Sequence, residues 1–143
     1  MTISARNQLS ATVKSIKKGV SNDVIELLLG DSQTLYSVIT SESTQNLELA
    51  IGKSVFAIFK APSVILTTDT DLILSSRNQL QGEVVQIIEG AVNAEVIVKT
   101  QGNVEIAAII TEASLKSLAL QVGTKVTAMI KASSVIIGAK KAH

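Results

Sequence analysis

The sequence contains no cysteine and no tryptophan. Without thiols it can hold neither a disulfide framework nor a thiolate metal site. Its one histidine, His143, is the last residue, and no pair of acidic residues recurs, so the usual acid–base and nucleophile–base constellations lack members and no enzyme is expected. Aromatics are limited to Tyr36, Phe56 and Phe59, which gives few platforms for stacking nucleic-acid bases. A net charge of +1 provides no overall field that would draw the chain to nucleic acid or to acidic lipid. Apolar runs such as Val55–Phe59 are far too short to span a bilayer. The opening MTISARNQLSATVKS lacks the apolar stretch of a secretory leader, so the expected compartment is the cytoplasm, with no membrane partner.

What the chain does have is aliphatic mass. It is 46% hydrophobic, which excludes a disordered chain, and the Val, Ile, Leu and Ala that supply it favour strands packed on strands. At 143 residues it has room for one ordinary domain or two small ones. An internal repeat decides for two. SARNQL from Ser4 returns as SSRNQL from Ser75, an offset of 71 residues. The same offset, without a gap, matches Gly19 to Gly90, Asn22 to Asn93, VIT (38–40) to IIT (109–111), Gly52 to Gly123 and KAPSVI (60–65) to KASSVI (131–136). A register held over the whole repeat marks tandem duplication, with units at 1–70 and 71–143 joined by the polar TTDTD (67–71). Units of that size lie near the lower limit for an independent core, so they should lean on each other or on other chains.

Both halves read alike. An alternating strand runs to a glycine turn, and NDVIELLLG and TLYSVIT supply a second and a third strand. SESTQNLEL then breaks the alternation and predicts a short helix capped near Thr40 or Ser41. SVFAIFK is a fourth strand, and Pro62 marks the step into a fifth. The expected architecture is all-β, two tandem five-stranded OB-like barrels, each with one short helix.

Polar positions kept in both copies are the candidates for function, because many likely surface positions have drifted (Lys17 and Ile88, Asp23 and Ala94). Three clusters qualify: Ser4 with Arg6 (Ser75, Arg77), Thr40 with Ser43 (Thr111, Ser114), and Lys60 with Ala61 (Lys131, Ala132). They supply a guanidinium, an ammonium, hydroxyls and backbone N–H groups, and no carboxylate recurs with them. A set made of donors matches an oxyanion, and Thr-x-x-Ser at a helix start adds orphan N–H groups and a partial positive charge. Each cluster also has an ordinary reading: helix caps for Thr40 and Ser43, an end-of-strand gatekeeper for Lys60, a solvated loop cation for Arg6.

SARNQL, VITSES, LAIGKSVFAIFKAPSVIL and, in the second copy, GAVNAEVIV, IITEAS and VTAMIKASSVII together resemble the molybdate-binding Mop domain over nearly the entire chain. A tandem pair resembles the two-domain molbindins. The resemblance implies a cytoplasmic binder of molybdate and tungstate, serving molybdenum storage or homeostasis, with no cofactor. It implies an oxyanion held by Ser4, Arg6, Thr40, Ser43, Lys60 and Ala61, and again by Ser75, Arg77, Thr111, Ser114, Lys131 and Ala132, in pockets that can draw residues from two chains. It further implies a second kind of oxyanion site at the Gly-Ala-Val-Asn turn, here Val20 and Asn22 in the first copy and Val92 and Asn93 in the second. Single-copy relatives assemble as six domains, so two copies per chain imply a homotrimer. The first copy departs from the family pattern with GVSNDVIE at that turn and with Ala11 where the second has Gly82.

Two other readings are set against this one. OB-like barrels also bind single-stranded nucleic acid, but the second copy has no aromatic residue. GKS (52–54) hints at a phosphate-binding loop, but the upstream glycine that motif requires is Leu47.

Overall fold

The computed structural model describes residues 2–30 and 32–141; His143 lies outside them. Each repeat forms its elements in the order the alternation predicts. The first gives β1 (Asn7–Lys17), β2 (Asn22–Leu29), β3 (Gln33–Thr40), α1 (Ser41–Asn46), β4 (Ser54–Phe59), a 3-10 turn (Ala61–Ser63) and β5 (Ile65–Thr67). The second gives β6 (Asn78–Glu89), β7 (Asn93–Thr100), β8 (Glu105–Thr111), α2 (Glu112–Ser117), β9 (Lys125–Ile130), a 3-10 turn (Ala132–Ser134) and β10 (Ile136–Gly138). Strand β2 shows why: Asp23, Ile25, Leu27 and Leu29 are buried while their neighbours are not, the period of two that a half-buried strand needs.

The strands make two curled five-stranded sheets, with neighbours in the order β10-β4-β1-β2-β3 and β5-β9-β6-β7-β8. All pairings are antiparallel. The curl has a local cause in both. The β1–β2 register shifts between Val13 and Ser15, and the β6–β7 register shifts at the equivalent place, between Val84 and Gln86. Such a bulge bends the strand and increases its twist.

The fifth strands are exchanged. Strand β5 pairs with β9 of the second repeat (Leu66 opposite Ala128), and β10 pairs with β4 of the first (Ile137 opposite Ala57). Each curled sheet therefore holds four strands of one repeat and the last of the other. The alternation that predicts five strands per repeat is silent on this, because KAPSVI and KASSVI are near-copies and either fits either sheet. Pro62 sits in the 3-10 turn that carries the chain across.

A second tie joins the repeats. Asn7, 3% exposed, donates from Nδ2 to the Ala107 carbonyl at 2.8 Å, and its Oδ1 accepts from the Ala107 N–H at 2.8 Å. Asn78, 1% exposed, does the same with Tyr36, at 2.8 and 2.7 Å. Ala107 lies on β8 and Tyr36 on β3, the strands that end the two sheets. Each side-chain amide thus fills a place on an edge where another strand would bond. The Ser37 hydroxyl adds a buried bond to the Val135 carbonyl, at 2.7 Å, beside the exchanged β10. Buried residues of both repeats, among them Val13, Leu27, Phe59, Val84, Val98 and Ile130, form one apolar core.

The Ala11/Gly82 difference has a steric cause. A Cβ at Gly82 would lie 2.6 Å from the Lys99 carbonyl oxygen and 2.8 Å from Val98 Cγ1. Gly82→Ala should destabilise the protein by about 1–3 kcal/mol, as overpacking does, and a urea midpoint unchanged from wild type would contradict this. Asn78→Ala leaves the Tyr36 N–H and carbonyl without their partner; it should cost at least about 2 kcal/mol. That loss is read from urea unfolding followed by circular dichroism, and a wild-type curve would show the clamp to be incidental.

Candidate functional site

The repeated Ser-x-Arg-Asn-Gln motif divides its labour. Asn makes the clamp just described. Gln holds the loop before it: Gln8 Nε2 donates to the carbonyls of Ile3 (2.9 Å) and Ala5 (2.8 Å), and Gln79 Nε2 to those of Leu74 (3.3 Å) and Ser76 (2.7 Å). Ser4, Arg6, Ser75 and Arg77 are left exposed on loops whose paths are fixed.

The structure gathers much of one predicted set. A cleft of about 600 Å³ is lined by Ser75, Arg77, Lys131 and Ala132 of the second repeat and by Val38 of the first. Val38 lies on β3, and alternation puts Tyr36, Val38 and Thr40 on one face of that strand. The Arg77 guanidinium stacks on the Tyr36 ring, 4.1 Å from its centroid. Stacking uses the face of the guanidinium and leaves its N–H edges to donate. Thr111 and Ser114, the other members of that set, do not line this cleft, and neither do Thr40 and Ser43, which stand further along β3, at the start of α1. In the first repeat, the 3-10 turn after Lys60 packs on β8, which ends at Thr111.

The helix starts are more occupied than the sequence suggests. Thr40 is the N-cap of α1, and its Oγ1 accepts from the Ser43 N–H at 3.1 Å. The Ser41 N–H donates to the Ser21 carbonyl, and the Glu112 N–H to the Val92 carbonyl. The expectation of open N–H groups there is corrected to that extent: the β1–β2 and β6–β7 turns already take one each. What stays outward is a hydroxyl. Thr40 Oγ1 donates to Ser43 Oγ at 2.8 Å, and Thr111 Oγ1 to Ser114 Oγ at 2.9 Å, so each serine keeps its own hydrogen to give. Lys60 and Lys131 are exposed and make no ion pair among the described residues. The N–H groups of Ala61 and Ala132, first residues of their 3-10 turns, have no partner within the turn.

The turn residues named for a second kind of site sit close by. Asn22 opens β2 directly opposite Thr40, and Asn93 opens β7 opposite Thr111. Val20 and Val92 stand exposed at the turn tips. Val20 shares a cleft with Lys18, Asp23 and Ser41, which does not include Arg6 or Lys60.

Three residues escaped the sequence reading. Tyr36 and Glu95 have no like counterpart in the other copy (Ala107 and Val24), and recurrence was the filter. Glu95 forms an ion pair with Arg6. The pair raises the Arg6 pKa, first through the hydrogen bond that Arg6 donates to Glu95 and then through the carboxylate's charge. Asp23, with Ala94 at the equivalent position, reads as drift in the sequence. It is buried beneath the β1–β2 turn, accepting from Ser41 Oγ (2.8 Å) and the Gly19 N–H (3.2 Å).

The Asp23 carboxyl is held below the usual carboxylate range, chiefly by the hydroxyls of Thr44 and then Ser41, against the opposing effect of burial. A lowered folded value means the group stabilises the fold above its unfolded pKa of about 3.9 and loses that contribution as pH falls through the folded value. Asp23→Ala, which installs the residue of the equivalent position Ala94, should be less stable than wild type at pH 7. The gap should close on acidification below about pH 4. Urea midpoints measured from pH 7 to pH 2.5 test this, and a gap independent of pH would contradict it.

The TOBE domain model matches residues 3–66 and 74–137. The chain is 42% identical over 137 residues to the molybdenum transport protein ModE of Azotobacter vinelandii, covering 96% of this chain and 51% of that protein. It is 39% identical over 138 residues to the molybdenum-pterin-binding protein MopA of Rhodobacter capsulatus, covering 96% and 52%. The chain thus spans about half the length of these curated relatives. Among solved structures it is similar to the molybdate-bound, PEG-grown crystal form of the cytoplasmic molybdate-binding protein ModG. The TM-score is 0.94 at 45% identity, over 98% of this chain and 100% of that one.

Proposed function

Since this chain belongs to the TOBE-domain family and carries the domain twice, we propose that it binds molybdate reversibly, and tungstate in the same way, in cytoplasmic molybdenum storage and homeostasis. No bond is made or broken and no cofactor takes part. The observation that carries this reading is the seam cleft: a guanidinium, an ammonium, a hydroxyl and a turn-opening N–H from one repeat meet beside Val38 of the other, with the guanidinium stacked on Tyr36. ModG, similar along its full length, is a protein with molybdate bound.

The dianion exchanges water for charge-assisted bonds from Arg77 and Lys131, while Ser75 and the Ala132 N–H orient it. The equivalent set is Ser4, Arg6, Lys60 and Ala61. Thr40 with Ser43, and Thr111 with Ser114, present a hydroxyl each at the end of the same strand faces, where a neighbouring chain completes the pocket. Sulfate is told apart by size, since its charge and shape are alike. Monohydrogen phosphate brings a proton that needs an acceptor, and at the Arg77 site the set is built of donors.

The assembly proposed is a homotrimer. Ile51 and Val122 occupy equivalent positions and are both exposed, as are Ile65 and Ile136. Apolar residues kept on the surface in both copies suit contacts between chains. A single-stranded nucleic-acid role is not favoured, because Tyr36, one of three aromatics, is already covered by Arg77.

Arg77→Ala should weaken one class of molybdate sites by about tenfold to a hundredfold in titration calorimetry, the measure of one charge-assisted bond. Its circular dichroism spectrum should stay native, because the clamp belongs to Asn78. Undiminished affinity in the folded variant would remove the assignment.

A further inference from the structure

The two copies of the donor set are not equivalent, and the difference lies in the floor beneath each arginine. Cross-strand pairing sets the two floors side by side. In the first repeat Val24 is opposite Val38 and Glu26 is opposite Tyr36. In the second Glu95 is opposite Ile109 and Ile97 is opposite Ala107. Residues directly opposite share a sheet face. The floor facing Arg77 therefore has an apolar pair where the floor facing Arg6 has a carboxylate.

That carboxylate is not otherwise occupied. Glu95 Oε1 is shielded from solvent and takes no hydrogen bond from any other described group, and its ion-pair partner is Arg6 Nη2. The Glu95 side chain is 18% exposed and that of Arg6 53%. Glu26, the carboxylate of the other floor, is served locally: Ser15 Oγ donates to it at 2.9 Å, Tyr36 Oη at 3.3 Å, and Lys14 Nζ lies at 3.6 Å. So Arg77 lies on an aromatic ring with its donating edges free, while Arg6 spends its edge on an internal anion.

We infer that Glu95 is an affinity-setting residue, an internal carboxylate that competes with the oxyanion for Arg6 and makes the Arg6 site the weaker of the two. This rests on the oxyanion-binding reading above. A bound dianion has to draw Arg6 away from Glu95, and Glu95 then faces it as a like charge. The first cost does not exist at Arg77, where the equivalent position is Val24, and the second is smaller there because Glu26 is already served by Lys14 and two hydroxyls. The duplicated chain thereby holds two sites of different strength, and so takes up anion over a wider range of concentration than two equal sites would.

Titration calorimetry of the full chain with sodium molybdate tests this in wild type and in Glu95→Gln. Wild type should show two classes of site. Glu95→Gln should tighten the weaker class about two- to fivefold, the range of exposed ion pairs, and leave the stronger class unchanged. A merely structural role for Glu95 predicts the opposite sign, since damage to the pocket weakens binding. If Glu95→Gln does not fold, Glu95→Val serves, because valine occupies the equivalent position of the first repeat. Equal sites in wild type, or a weaker class that stays the same or loosens in the folded variant, overturn the inference and leave the function standing. Wild-type protein that binds no molybdate overturns both.

Discussion

An edge strand presents unpaired N–H and C=O groups to whatever comes next, and here the next group is a side-chain amide from the other repeat. Asn7 on Ala107 and Asn78 on Tyr36 are buried and two-pronged, and they fix each first strand against the last strand of the other sheet. The exchanged β5 and β10 repeat the tie on the opposite side of each sheet. Two units too small for a secure core of their own thus share one. Everything proposed about function depends on this, because the seam so formed is where Arg77 and Lys131 meet the face of β3.

The motif that opens each copy therefore serves two ends. Its Asn and Gln work for the fold, and its Ser and Arg stand exposed beside them on the same short loop, Arg6 paired with Glu95 and Arg77 stacked on Tyr36. Such economy sets the donors' loop directly beside a buried clamp. It also means that divergence at a neighbouring position is felt at the site. Val24 against Glu95, and Ala107 against Tyr36, give two arginines of one motif two different surroundings.

The strands, their order and the short helices were legible because each depends on local signals: alternation of two along NDVIELLL, Thr40 before SESTQN, Pro62 after the fourth strand. The donor set was legible because duplication let drift and retention be compared within one chain. The exchange of fifth strands was not, since near-identical KAPSVI and KASSVI segments carry no label for the sheet they join. The occupied N–H groups of Ser41 and Glu112 were hidden for a related reason, as their partners, Ser21 and Val92, come from turns about twenty residues away. Glu95 and Tyr36 were invisible to a filter built on recurrence, and it is pairing across strands that brings them beneath the arginines.

The most direct measurement is anomalous diffraction at the molybdenum edge from crystals of the assembled protein soaked in molybdate. The account predicts a peak in the seam cleft, with the Arg77 guanidinium, the Lys131 ammonium and the Ala132 N–H within hydrogen-bond distance of the oxygens. A cleft without a peak, with the ion bound elsewhere and Arg77 and Lys131 both turned to solvent, would contradict it.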